Sequence, residues 1–107
     1  MELKALSRPK YWWYSYVKKA VIYNIRDIQQ PPETMQEAIT RLALKKALDD
    51  TKQLRRGEER LKLVDLVLRR QQYNIPGAAM AMYVSESTAT KWMKEFMYTV
   101  AEYMGFL

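Results

Sequence analysis

The side chains of this chain best suited to chemistry are gathered between Ser85 and Lys94. Ser85, Glu86, Ser87, Thr88, Thr90, Lys91 and Lys94 supply hydroxyls, a carboxylate and two ammonium groups in one short stretch. Hydroxyls both donate and accept hydrogen bonds, and an ammonium donates three. The sequence has no His and no Cys, so any general base would have to be a carboxylate or a lysine. Imidazole bases, thiolates, disulfides and the usual zinc ligands are missing with them. The other carboxylates and lysines are scattered or mixed with opposite charges, and none of them forms an acid–base pair by spacing. The pattern therefore points to recognition of a polar, anionic surface rather than to catalysis, and no cofactor is expected. Arg69 and Arg70 add a second cationic pair upstream, either as a solvated surface or as a clamp on an anion.

Those side chains need a helix to aim them. In "VSESTATKWMKEF", Ala89, Trp92, Met93 and Phe96 repeat every three or four residues and predict an inward face. Glu86, Ser87, Thr90, Lys91 and Lys94 then fall on the opposite side, near the helix N-terminus. Ser85 is the expected N-cap, and Thr88 adds polarity in the first turns. Upstream, Asn74 caps a short helix over Ile75 to Met82, with Pro76 in the first turn where N–H groups lack partners anyway. Tyr83 and Val84 make the turn, Val84 plugs the corner, and Ala79 is small where the helices cross. A short helix, a tight turn and a second amphipathic helix make a helix-turn-helix over residues 74–96. In such a unit the start of the second helix meets base edges in the DNA major groove. A helical hairpin that binds no DNA satisfies the same spacing. Two features oppose the DNA reading: Tyr83 stands where Gly is usual, and the motif's half of the chain is electrically neutral.

Net charge is +6, which favours polyanionic partners. Residues 1–56 carry 12 basic and 6 acidic side chains, while residues 57–107 carry 6 of each. The excess thus lies outside the motif. Lys10, Lys18 and Lys19 are placed to touch phosphates from the first half.

The rest of the chain reads as helix. Good helix formers dominate, and 3 Gly and 4 Pro interrupt them. The expected fold is all-α with about five helices, organised as residues 1–56 and 57–107 within one compact unit. The first helix is expected from a Ser7 cap and Pro9, with Tyr14, Val17, Val21, Ile25 and Ile28 as its stripe, ending at "QQPP". The second starts near Pro32 or Glu33, reaches about Leu54, and carries Met35, Ala38, Ile39, Leu42, Ala43 and Ala47. Gly57 breaks the chain, and Glu58 to Gln72 forms a central buried helix, apolar nearly all round. The last helix runs from Glu86 to about Met104, where Gly105 and Phe106 suit a C-terminal cap. "YWWYSYVKK" reads as a packing or dimerisation face, with base stacking as the other option. Met93, Met97, Val100, Met104 and Leu107 form a seam for the core or for a partner helix, and a homodimer is one expected assembly. No apolar run approaches a membrane span and no signal peptide is visible, so a soluble cytoplasmic protein without membrane contact is expected.

From about Ala43 to Gly105 the chain resembles region 4 of bacterial sigma factors and its relatives. Within that group it is most similar to the RinA/ArpU-type regulators of temperate phages of Gram-positive bacteria. "GEERLKLVDLVLRRQ", "GAAM", "VSESTA" with Trp92, "VAEYMG" and the aromatic "YWWYSYVKKAV" carry the likeness. The resemblance implies a sequence-specific double-stranded DNA-binding regulator of transcription, an activator of phage late genes in the bacterial host cell. It implies RNA polymerase as a further partner. The DNA-binding small subunit of phage terminase is the alternative, since it too uses helix-turn-helix domains. A helical interaction module without DNA is the third reading.

Overall fold

The computed structural model describes residues 12–106. Among these the chain folds into helices joined by short turns. They are α1 (Tyr14–Ile25), α2 (Met35–Gln53), α3 (Gly57–Val64), α4 (Ile75–Met82) and α5 (Glu86–Tyr103). A π-helical turn, Asp65–Arg69, prolongs α3. The all-α fold expected from composition is the fold found, with its five helices.

Each of the other four helices packs on α5. The reason lies in the α5 sequence: Ala89, Trp92, Met93, Phe96, Met97, Val100 and Ala101 form one continuous buried stripe. Around it stand Val17, Val21 and Ile25 of α1, Ala43, Leu44 and Ala47 of α2, Leu63 and Val64 of α3, Leu66 and Leu68 of the π turn, and Ala78 and Ala79 of α4. Each fully buried Val, Leu, Ile or Met contributes about 1.5–3 kcal/mol. The core therefore draws on both halves of the chain. The Met93–Met97–Val100 seam lies within this core, Met104 packs at its edge, and Leu107 lies outside the described residues.

The aromatic N-terminal stretch divides between core and surface. Trp13 is buried and meets Tyr98 of α5 edge-on at 5.4 Å. Trp12 and Tyr16 are exposed and pack edgewise on Phe106, past the end of α5. Tyr14 is half-buried, which raises its phenol pKa by desolvation. Ser7, Pro9 and Lys10, the expected start of α1, lie outside the described residues. The helix also stops earlier than expected, at Ile25, and Arg26 to Gln29 form turns before the two prolines.

The α2 reading needs correction. Its N-cap is Thr34, whose hydroxyl accepts from the Glu37 N–H at 3.0 Å, while the Glu37 carboxylate accepts from the Glu33 N–H. Of the apolar residues that α2 carries, Met35, Ile39 and Leu42 are exposed. The buried face instead includes Thr40, Arg41 and Thr51 beside Ala43, Leu44 and Ala47. Partners permit this for Arg41 and Thr51, whereas the buried Thr40 hydroxyl makes no hydrogen bond among the described residues. Arg41 donates to Asn24 Oδ1 at 3.0 Å and to the carbonyls of Gln30 and Pro31, and it pairs with Glu37. A buried cation is tolerated when its donors are satisfied in this way, and here it pins the proline loop to α2. Thr51 donates to the Ala47 carbonyl.

The expected single α-helix over residues 58–72 is also corrected. α3 already opens at Gly57, directly after the expected break, and the helix changes to π geometry at Asp65, with Arg70 N–H donating to the Asp65 carbonyl at 2.7 Å. Among the described residues no helix is long and apolar enough to cross a membrane.

Candidate nucleic-acid interface

The α4–turn–α5 unit begins at Asn74. Its Oδ1 accepts from the Gly77 N–H at 2.9 Å, and Pro76 occupies the first turn. At the other end of α4, Val84 N–H donates to Ala79 O and Tyr83 N–H to Met80 O. This paired pattern is a Schellman close, which needs a left-handed residue at its corner. Tyr83 supplies it with φ of 60°, a conformation that costs an L side chain roughly 1–2 kcal/mol. Its ring is 96% exposed, so replacement removes almost no packing. Tyr83→Gly is therefore expected to stabilise the fold by about 0.5–1 kcal/mol, after allowing for the extra chain entropy of glycine. A denaturant titration of the two proteins checks this, and an unchanged or lower midpoint would contradict it.

Ser85 then caps α5. Its Oγ accepts from the Thr88 N–H at 3.1 Å and donates to Thr88 Oγ1 at 2.7 Å, and Ser87 Oγ lies 3.3 Å away. Ser85 and Thr88 are thus engaged in starting the helix, and Thr88 is half-buried. The expected division of α5 holds in the structure. Ala89, Trp92, Met93 and Phe96 are buried, while Glu86, Ser87, Thr90, Lys91 and Lys94 are exposed together on the other side. The far end closes with a second Schellman pair, Phe106 N–H to Ala101 O and Gly105 N–H to Glu102 O, with Gly105 at φ of 91°.

Two flanks come from other elements. On one side Trp92, 6% exposed, lies beneath two guanidinium groups: Arg56 is 4.8 Å and Arg60 5.4 Å from its ring centroid. Arg60 also pairs with Glu95 of α5 at 2.8 Å. Arg56 is held by Glu59 through two hydrogen bonds, and that contact keeps the Glu59 carboxyl below its usual pKa. On the other side a cleft of about 240 Å³ is lined by α1, the π turn, α4 and α5. Lys18 lines it together with Asn74, Pro76 and Met93. The structure thereby brings two cations of the first half, Lys18 and Arg56, beside the motif whose own half is neutral.

Arg69 and Arg70 are placed differently. Both pair with Asp65, Arg69 with one carboxylate oxygen and Arg70 with the other at 2.8 Å. Arg26 donates to the Arg69 carbonyl, tying the end of α1 to the π turn. These arginines are partly exposed, and one carboxylate between them offsets half of their charge. Arg56, Arg60, Glu95 and Asp65 were not singled out by spacing in the sequence. The clue available for the first two was their four-residue separation at the start of α3, with Glu59 between them.

No family model, no curated protein and no solved structure matches the chain.

Proposed function

We propose that this chain is a sequence-specific double-stranded DNA-binding regulator of transcription. One observation carries the reading: α5 leaves Ser87, Thr90, Lys91 and Lys94 exposed on one face at its N-terminal half, just after a capped turn from α4. Hydroxyls and ammonium groups at the start of such a helix suit base edges and phosphates in the major groove. The partial positive charge of the α5 N-terminus favours an anionic partner in the same place. Lys18 supports the reading from the α1 side as a phosphate contact. Activation of phage late genes, contact with RNA polymerase and action in the bacterial cytoplasm rest on the resemblance to the RinA/ArpU-type regulators.

Thr90→Ala and Lys91→Ala test the reading most directly. A duplex enriched from a random pool and an unrelated duplex serve as the two probes in an anisotropy titration. Each substitution is expected to weaken the enriched duplex by about 1–3 kcal/mol more than the unrelated one. The parent's affinity should fall steeply with salt, because phosphate contacts release counterions. Equal weakening on both probes would make the two side chains phosphate contacts and move the reading face elsewhere. Absence of salt-dependent DNA binding would leave a helical interaction module. Ring-shaped oligomers on DNA would favour the terminase alternative.

A further inference from the structure

The outer face of α2 is apolar where the fold does not require it to be. Met35, Ile39 and Leu42 are 76, 43 and 56% exposed. They are separated by four and then three residues, with Lys46 four further on, which is the spacing of a helix–helix seam. Two tyrosines extend the patch. Tyr16 reaches it through a 3.0 Å hydrogen bond from Gln36, and Tyr103 through Asp50 and the Lys46 ammonium, 5.6 Å from its ring centroid. Both tyrosines are close to half exposed. The five side chains expose on the order of 500–600 Å². Doubled, that approaches the ~1,200 Å² at which specific interfaces begin.

Charge selects the occupant. Exposed Glu33 precedes the stripe, and exposed Lys45 and Lys46 follow it. Glu33 and Lys45 stand six residues to either side of Ile39. An antiparallel pair of α2 helices related by a twofold axis at Ile39 would set Glu33 of each copy beside Lys45 of the other. Met35 of one would then meet Leu42 of its partner. A parallel pair would instead oppose lysine to lysine. We infer that this face binds a second copy of the chain through an isologous, antiparallel α2 contact. The seam in α5 is not available for this role, because Met93, Met97 and Val100 are already buried in the protein's own core.

The test is sedimentation of the full chain over a concentration series without DNA, so its result is separate from the DNA reading. The parent is expected to form a concentration-dependent dimer. Ile39→Glu and Leu42→Glu are expected to be helical by circular dichroism and monomeric where the parent is dimeric. Lys45→Glu should raise the dissociation constant by about tenfold, and adding Glu33→Lys should restore it, since the pair is exchanged as a unit. That restoration requires a second copy and would not follow from any other occupant. Should an α2 variant fail to fold, the charge exchange alone decides. A parent that stays monomeric, a dimer indifferent to both glutamate substitutions, or a charge exchange that restores nothing would each overturn the inference.

Discussion

Gly57→Ala is expected to destabilise the protein by about 3 kcal/mol, the upper range for forcing extra volume into a packed site. A Cβ built on Gly57 would lie 2.3 Å from the Lys52 carbonyl oxygen and 2.7 Å from that of Thr51. Both atoms are backbone at the end of α2, so neither can rotate away as a side chain would. Gly57 is buried at the start of α3, and the residue before it, Arg56, is already left-handed with φ of 58°. The corner between α2 and α3 therefore has little freedom to relax. It also carries Arg56 and Arg60, which cover Trp92 on α5, so a shift there would disturb the helix proposed to read DNA. Thermal melts are the measurement, with Gly105→Ala as comparison. Gly105 has open space around its Cβ position and only its φ of 91° to oppose a side chain. For a chain of this size the Gly57 variant should melt on the order of 15 °C lower. A Gly57→Ala protein no less stable than Gly105→Ala would mean that α2 and α3 do not approach this closely.

The C-terminal half was legible in the sequence because its punctuation is strong and local. Asn74, Ser85 and Gly105 each satisfy helix-end groups within a few residues, Pro76 removes an N–H that would lack a partner, and the bounds of α4 and α5 follow from them. Even Tyr83 announced itself, as a side chain in a position that wants glycine. The face of α2 was not legible. Its outward Met35, Ile39 and Leu42 look like a core stripe, while Arg41 is buried by partners 10, 11 and 17 residues away. No local pattern reveals such partners. The π turn was hidden for another reason: a segment apolar on nearly every side has no phase from which a change of helical period could be read. In the candidate site, periodicity gave the two faces of α5 correctly, because burial there depends on α5's own repeat. It did not give the flank formed by Arg56 and Arg60, because these reach α5 only through the tertiary fold.

Trp92 is where stability and the proposed recognition meet, and it separates them experimentally. Its indole is nearly buried between the core and the guanidinium groups of Arg56 and Arg60. Trp92→Ala is expected to cost about 3–5 kcal/mol, the scale for deleting a buried large aromatic. A cation over an aromatic face adds about 0.5–2 kcal/mol according to its exposure, so part of that loss belongs to the two arginines. Trp92→Phe keeps a ring in place and should lose less than half as much. Thr90 and Lys91 lie two residues and one residue before Trp92 but on the exposed side, so alanine there should leave the melting transition within about 0.5 kcal/mol. The expected result is thus a crossed pair. Trp92→Ala lowers the melting midpoint and, where it remains folded, keeps the parent's preference for the enriched duplex. Thr90→Ala and Lys91→Ala melt like the parent and lose that preference. Denaturation and duplex titration on the same preparations check both halves. If Trp92→Ala melted like the parent and lost the preference, Trp92 would face the DNA. The helix would then be rotated by about 100° per residue of misassignment, and the exposed hydroxyls and lysines would lie off the groove.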